Sequence, residues 1–79
     1  IDRSEMSSKR RARAVVRPRQ VAMYLAKVMT PRSYPEIGRK FGGRDHSTVI
    51  HAVRLVEDLR KQDSDMDNDV RALLRQLEA

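Results

Sequence analysis

Apolar residues recur every three or four positions along much of this 79-residue chain, a spacing that places them on one face of a helix. The first such run predicts a helix from about Pro18 to Met29. Pro18 suits a first helical position because its missing N–H would be unpaired there, and Thr30-Pro31 predicts the end of the helix. The expected buried stripe consists of Val21, Ala22, Leu25, Val28 and Met29.

A short second helix is predicted to begin after Ser33. This serine stands three residues before Glu36, which is the spacing of a capping box, and Pro35 suits the first turn. Gly42-Gly43 follows and predicts the end of the helix, because glycine adopts a positive φ without steric penalty.

A longer third helix is predicted from Asp45, as its N-capping residue, to about Lys61. Its expected buried side consists of Val49, Ala52, Val53, Val56 and Leu59. Its polar side consists of Ser47, His51, Arg54 and Asp58. A fourth helix is predicted to begin at Ser64, because Ser64 and Asp67 have capping-box-like spacing. Its expected core stripe consists of Met66, Val70, Leu73 and Leu77. No stretch has strand-like alternation, so the pattern predicts an all-α fold.

Positive charge is concentrated in the first two-thirds of the chain. The whole chain has 17 Lys and Arg against 11 Asp and Glu, a net charge of +6. Residues 1–54 hold 13 basic and 4 acidic residues, a net charge of +9, whereas residues 55–79 hold 4 and 7, a net charge of −3. This distribution favours a polyanionic partner for the first two-thirds.

Composition argues against several classes of function. The chain has no cysteine, which excludes disulfides, thiolate metal ligands and cysteine nucleophiles. His46 and His51 would point roughly 140° apart on a helix and belong to no HExxH motif, so we expect no metal site. A domain this small has no deep cleft and shows no nucleophile with its base, so we expect no enzyme. The start at Ile1 rather than Met suggests a fragment, and no apolar run is long enough for a membrane span.

The run FGGRDHSTVIHA (residues 41–52) carries the most informative chemistry. A short helix, a glycine turn and a longer helix with a polar first turn form a helix-turn-helix, whose second helix enters the major groove of DNA. Asp45 can accept from a cytosine or adenine amino group, His46 can donate or accept, and Thr48 offers a hydroxyl and a methyl. The sequence therefore predicts a basic lead-in arm over residues 1–17 and a helix-turn-helix DNA-binding domain over residues 18–79.

The longer run IGRKFGGRDHSTVIHA (residues 37–52) closely resembles the signature of the DnaA family of bacterial chromosomal replication initiators. SKRRARAVVRPRQVAMYLAKVMT (residues 8–30) is similar to that family's C-terminal DNA-binding domain. The resemblance implies a small helical bundle containing a helix-turn-helix of the Trp-repressor-like type. It also implies sequence-specific binding to short, asymmetric DnaA boxes at the replication origin, for initiation and regulation of chromosome replication.

The same resemblance implies roles for individual residues. In the major groove, the base-contacting residues would be Asp45, His46 and Ser47. Arg11 would enter the adjacent minor groove. The residues near the DNA backbone would be Arg19, Gln20, Lys27, Pro35, Arg44, Thr48 and His51. Because residues 14–17 offer no side-chain cap to a helix starting at Pro18, we expect a DNA phosphate to cap it.

Some of these positions have structural alternatives. Asp45 is expected to cap the third helix, with or without a base contact. Arg44 could equally pair with an acid and hold the turn, or contact a phosphate.

Ser47 stands where threonine is usual in the family, so a methyl able to touch a thymine methyl is absent. The free-energy preference for thymine over other bases at that position is expected to fall by about 1 kcal/mol or less.

Further implications concern a longer protein. ATP or ADP with Mg²⁺ would bind an AAA+ module that this chain lacks, and no cofactor is expected for the chain itself. Acidic phospholipids are candidate partners of the full-length protein, which would oligomerise on the origin. The chain has no sustained heptad pattern and is expected to be monomeric. The expected location is the cytoplasm, in association with the nucleoid.

Three other binding functions compete with this interpretation. A helix-turn-helix transcriptional repressor or a transposase-type domain shares the same physics, and only the signature run argues against it. A membrane-surface binder needs bulky apolar anchors, and the basic run of residues 9–19 has only Val15 and Val16. A single-strand binder needs exposed aromatic residues, and Tyr24, Tyr34 and Phe41 are few and expected to be packed.

Overall fold

The computed structural model describes the backbone of residues 3–78 and the side chains of residues 16–78. Four helices follow one another: α1 (Arg3–Met29), α2 (Tyr34–Lys40), α3 (His46–Gln62) and α4 (Ser64–Glu78). Residues 3–78 contain no strand, and the predicted all-α bundle is confirmed. α3 is the central element because it packs against each of the other three helices.

The core forms around the apolar side of α3. The residues that α3 buries are Val49, Ala52, Val53 and Val56, as the spacing predicted, while Leu59 is only half-buried. The other helices contribute Met23, Tyr24, Ile37 and Val70. Each large apolar side chain that leaves water here stabilises the fold by about 1.5–3 kcal/mol. This core fixes the side of α3 that faces inward and leaves the opposite side exposed.

α1 begins well before the predicted start at Pro18, which lies inside the helix. An interior proline removes one backbone hydrogen bond and costs about 3 kcal/mol. The preceding residues are mostly arginine, lysine and alanine, which are strong helix formers and offset part of that cost. The prediction of a helix N-terminus at Pro18 is therefore wrong, and so is the DNA phosphate expected to cap it. The expected boundary between residues 17 and 18 falls within one continuous helix.

The buried face of α1 also differs from the predicted stripe. Met23 and Tyr24 are 1% and 6% exposed, whereas Val28 and Met29 are 49% and 36% exposed. Residues 21–26 are all apolar or aromatic, so their spacing does not determine which side meets α3. The tertiary contact with α3 makes that choice.

α4 is capped and oriented by acidic residues around its start. The Asp63 carboxylate accepts from the N–H groups of Asp65 and Met66 at 3.0 and 3.2 Å. Asp63, rather than the predicted Ser64, therefore caps this helix. The predicted core stripe is only partly correct, because Leu73 and Leu77 are 38% and 58% exposed.

A polar cluster joins α1, α3 and α4 beside the core. Arg60 Nε donates to Asp67 Oδ1 at 2.7 Å, and its terminal nitrogen donates to the Tyr24 hydroxyl at 2.8 Å. The second carboxylate oxygen of Asp67 lies 3.0 Å from Arg71 Nε. The hydrogen bond to Asp67 raises the pKa of Arg60 above its ordinary value. The Asp67 carboxylate thus links α4 to α3, and the Arg60 guanidinium that it holds continues the link to Tyr24 on α1.

Asp67→Asn is expected to lower the free energy of unfolding by about 1.5–3 kcal/mol, because it weakens charge-assisted hydrogen bonds in a site that is largely shielded from water. Urea denaturation followed by circular dichroism measures the change. Asp58→Asn is the matched control, since Asp58 is exposed on α3 and surface substitutions usually change stability by less than about 0.5 kcal/mol. Equal losses for the two variants would contradict the linking role of Asp67.

Candidate nucleic-acid interface

The N-terminus of α2 has the predicted capping box. The Ser33 hydroxyl accepts from the Glu36 N–H at 3.3 Å, and the Glu36 carboxylate accepts from the Ser33 N–H at 3.5 Å. The backbone hydrogen bond from Ser33 is the main cause that lowers the pKa of Glu36, and the bond from the Ser33 hydroxyl adds to it. These contacts fix the start of the first helix of the helix-turn-helix.

The lowered pKa of Glu36 predicts a pH dependence of this cap. A carboxyl group whose pKa falls on folding stabilises the fold above its unfolded value, ordinarily 4.5, and that contribution is lost as the pH falls through the folded value. Ser33→Ala removes the hydroxyl but keeps the backbone N–H, so it should raise the pKa of Glu36 part of the way toward 4.5, as measured by NMR titration of its carboxyl carbon. An unchanged pKa in this variant would show that the Ser33 hydroxyl contributes nothing to the shift and that the backbone N–H, which alanine keeps, accounts for Ser33's share of it.

The turn between α2 and α3 depends on an unusually close backbone approach. The Gly38 carbonyl accepts from the Arg44 N–H at 2.8 Å, and a Cβ on Gly38 would overlap the Arg44 carbonyl oxygen. Gly42 and Gly43 have φ values of 85° and 75°, which confirms the prediction that they end α2 with positive φ. Gly38 was missed as a determinant of the turn, although glycine within so short a helix is itself a signal of close approach.

The N-terminal end of α3, here called the α3 tip (Asp45–Thr48), is exposed throughout. Asp45 occupies the N-cap position, but its side chain makes no capping hydrogen bond, so that predicted role is wrong. Its Oδ1 instead lies 3.1 Å from His46 Nδ1, and its Oδ2 accepts from the Ser47 hydroxyl at 3.2 Å. Asp45 therefore organises its two neighbours on the surface rather than the first turn of α3.

Most of the predicted contact residues in and near the recognition helix share this exposed surface. The exposed members are Arg44, Asp45, His46, Ser47, Thr48 and His51. The basic residues Arg39, Lys40 and Arg54 are also exposed on α2 and α3. Nothing apolar covers the tip, since the buried positions of α3 begin at Val49. The combination of exposed polar groups and nearby positive charge is suited to the grooves and phosphates of a duplex.

The other predicted contact residues lie on α1 and α2. Lys27 Nζ lies 4.5 Å from the centre of the Tyr34 ring and donates to the Arg32 carbonyl at 3.3 Å. The ammonium retains two further hydrogens that can bind an anion. This packing therefore positions Lys27 and leaves it able to contact a phosphate. Pro35 is exposed at the start of α2.

The remaining α1 positions are less open. Arg19 and Gln20 are half-buried, and the Gln20 side-chain oxygen accepts from Arg17 at 3.2 Å. Arg11, the predicted minor-groove residue, lies within α1, but its side chain is outside the described residues.

The described residues offer little to other chemistries. No group of three or more His, Asp or Glu side chains among them could hold a metal ion. Within the same part of the chain, no helix is both long and apolar enough to cross a membrane.

The fold and the site together define a class of protein. A short capped helix, a turn held by close glycine packing and a second helix with an exposed polar start form a helix-turn-helix DNA-binding domain. The family model for the "Bacterial dnaA protein helix-turn-helix" matches residues 1–56. The chain belongs to this family, which confirms the resemblance drawn from the signature run.

Curated relatives agree with the family match. The chain is 74% identical over 77 residues to the chromosomal replication initiator protein DnaA of Sphingopyxis alaskensis, which covers 98% of the chain and 17% of the relative. It is 65% identical over 75 residues to the protein of the same name from Zymomonas mobilis, covering 95% of the chain and 16% of the relative. The chain thus spans about one-sixth of the length of these relatives.

Proposed function

We propose that this domain binds double-stranded DNA sequence-specifically at DnaA boxes in the replication origin. The observation that carries the proposal is the exposed α3 tip, where Asp45, His46 and Ser47 stand free of the core. A protruding helix start that carries hydrogen-bonding side chains matches the way a recognition helix reads base edges in the major groove. Membership in the DnaA helix-turn-helix family supports DNA binding, and the choice of DnaA boxes as the target is part of this proposal.

The proposed contacts divide into base reading and positioning. In the major groove, the residues that read base edges are Asp45, His46 and Ser47, and Arg11 reads the adjacent minor groove. The residues that position the domain on the DNA backbone are Arg19, Gln20, Lys27, Pro35, Arg44, Thr48 and His51. Backbone contacts fix the register of the domain on the duplex but carry no sequence information directly.

The proposal extends to the longer protein to which such a domain belongs. Relatives that bear the name chromosomal replication initiator protein are about six times longer than this chain. We propose that the corresponding full-length protein acts in initiation of chromosome replication in the cytoplasm and nucleoid. ATP or ADP with Mg²⁺, acidic phospholipids and self-association on the origin would involve parts beyond this chain.

His46→Ala is expected to weaken binding to the preferred duplex by about 1–3 kcal/mol, roughly 5- to 150-fold, because a base-edge contact is lost. Binding to a scrambled duplex should change much less, since nonspecific affinity comes from phosphates. Fluorescence anisotropy with both duplexes measures the two losses. Arg54→Ala is a useful comparison, because Arg54 is also exposed on α3 but lies beyond the tip, and it should affect both duplexes alike.

Selection from a random duplex library tests the proposed function as a whole. Enrichment of one short asymmetric motif by the wild-type domain supports initiator-type binding. Enrichment of a palindrome would favour the alternative, a dimeric helix-turn-helix repressor, since such dimers read two symmetric half-sites. If no motif were enriched, sequence-specific binding would be excluded.

A further inference from the structure

The contacts of Asp45 determine which hydrogen-bonding groups the α3 tip can offer to DNA. Its Oδ1 lies 3.1 Å from His46 Nδ1, and its Oδ2 receives the Ser47 hydroxyl hydrogen at 3.2 Å. Two hydrogen-bond acceptors do not attract each other, so the contact with Oδ1 requires a hydrogen on Nδ1. The hydrogen bond that one ring nitrogen makes sets the state of the other.

The consequence for His46 concerns its outward nitrogen. A neutral imidazole with its hydrogen on Nδ1 carries a lone pair on Nε2 and no hydrogen there. The Ser47 hydroxyl has a single hydrogen, and Asp45 takes it, so the serine oxygen also turns only lone pairs outward. The carboxylate of Asp45 is itself an acceptor. All three neighbouring side chains therefore present acceptors and no donor.

We propose that Asp45 is a positioning residue that makes the α3 tip an all-acceptor surface, selective for exocyclic amino groups in the major groove. This inference rests on the proposed function and refines its chemistry. Adenine N6 and cytosine N4 are the amino donors on major-groove base edges, whereas guanine and thymine present acceptors at the equivalent positions. The tip therefore prefers A or C over G or T on the strand that it faces.

The same arrangement explains how a single acid affects several base pairs. Without the Asp45 carboxylate, the His46 ring exchanges between its two neutral forms, and the Ser47 hydroxyl rotates and donates freely. Each of these groups could then satisfy the acceptors of guanine or thymine. The His46 and Asp45 side chains are 58% and 69% exposed, so packing restrains the ring little and the contact with the carboxylate is its main constraint.

Two measurements on wild type, Asp45→Ala and Ser47→Ala test the proposal. The first is nitrogen-15 NMR of the His46 ring in the free domain, at the pH used for binding. Wild type and Ser47→Ala should show hydrogen on Nδ1 and a free Nε2, whereas Asp45→Ala should shift toward the other neutral form. A doubly protonated ring, or a ring unchanged by Asp45→Ala, would overturn the proposal. Asp45 makes no capping hydrogen bond, so the variant should fold, and circular dichroism checks this.

The second measurement is selection from a random duplex library with the same three proteins. Wild type should enrich A or C at the adjacent positions that the tip faces. Asp45→Ala should lose about 2- to 10-fold of that preference at each of several adjacent positions. Ser47→Ala should lose it at one position only.

The outcomes separate this inference from the function on which it rests. An enriched motif with G or T on the strand facing the tip would overturn the acceptor surface and leave sequence-specific binding intact. A loss confined to one position in Asp45→Ala would mean that Asp45 reads a base by itself and positions nothing. The absence of any enriched motif in wild type would overturn both, whatever the state of the imidazole.

Discussion

A fourfold rise in salt concentration is expected to weaken binding of this domain to its duplex by about 150-fold. Four Lys or Arg side chains are proposed to bring positive charge to the duplex: Arg11 in the minor groove, and Arg19, Lys27 and Arg44 at the DNA backbone. Each neutralised phosphate releases condensed counterions, so the logarithm of the association constant should fall with the logarithm of salt at a slope of about −3.6. Titrations by fluorescence anisotropy at several salt concentrations measure this slope. A slope near zero would contradict electrostatic binding.

Single charge removals identify which side chains contribute to that slope. Lys27→Ala should reduce it by about 1 and weaken all duplexes alike, because a phosphate contact carries no base information. Lys61→Ala is the matched control, since Lys61 is exposed near the C-terminal end of α3. It lies sixteen residues, or about 24 Å along the helix, from Asp45 at the start of the tip. If Lys27→Ala changed sequence preference instead, the assignment of Lys27 to the DNA backbone would be wrong.

Gly38→Ala is expected to lower the free energy of unfolding by about 1–3 kcal/mol, the usual range for forcing extra atoms into a packed site. The added Cβ would overlap the Arg44 carbonyl oxygen, which is backbone and is not free to rotate away. The hydrogen bond from the Arg44 N–H to the Gly38 carbonyl holds the two segments together at this point. Separating them would move the turn and, with it, the start of α3. Urea denaturation measures the loss of stability.

Two companion variants isolate the cause. Arg39→Ala changes the neighbouring, exposed position of the same helix and should be nearly neutral, because alanine is a good helix former. Gly42→Ala meets no neighbouring atom, but it requires alanine at a φ of 85°. It should destabilise through backbone strain of about 1 kcal/mol or more. Equal stability of Gly38→Ala and wild type would show that the turn adapts to the added methyl.

The parts of the fold that the sequence predicted well are those with strong local signals. The capping box at Ser33 and Glu36, the glycine turn and the buried side of α3 each follow from a spacing or from one residue's conformational preference. The family resemblance indicated which residues of the tip are candidates for contacting DNA. The exposure of these residues was also foreseeable, because polar side chains at the start of an otherwise apolar helix face have no place in the core.

The errors arose where spacing and residue preference leave more than one arrangement open. The start of α1 was placed at Pro18 because proline usually begins a helix rather than interrupting one. The buried face of α1 was misjudged because six consecutive apolar or aromatic residues leave the choice to α3. Asp45 was expected to cap, but its carboxylate contacts His46 and Ser47 instead, and spacing alone does not distinguish these outcomes. Gly38 was missed because its neighbour, Arg44, lies on the other side of the turn.

The two sides of α3 have separate roles, and this separation affects how the DNA-sequence preference of the domain can change. The inward residues, such as Val49 and Val56, maintain the bundle, while the outward residues of the tip are exposed and belong to no part of the core. Substitutions at the tip can therefore accumulate with little loss of folding stability. A laboratory library restricted to positions 45–48 and 51 should yield well-folded domains with new duplex preferences, and natural divergence can follow the same route.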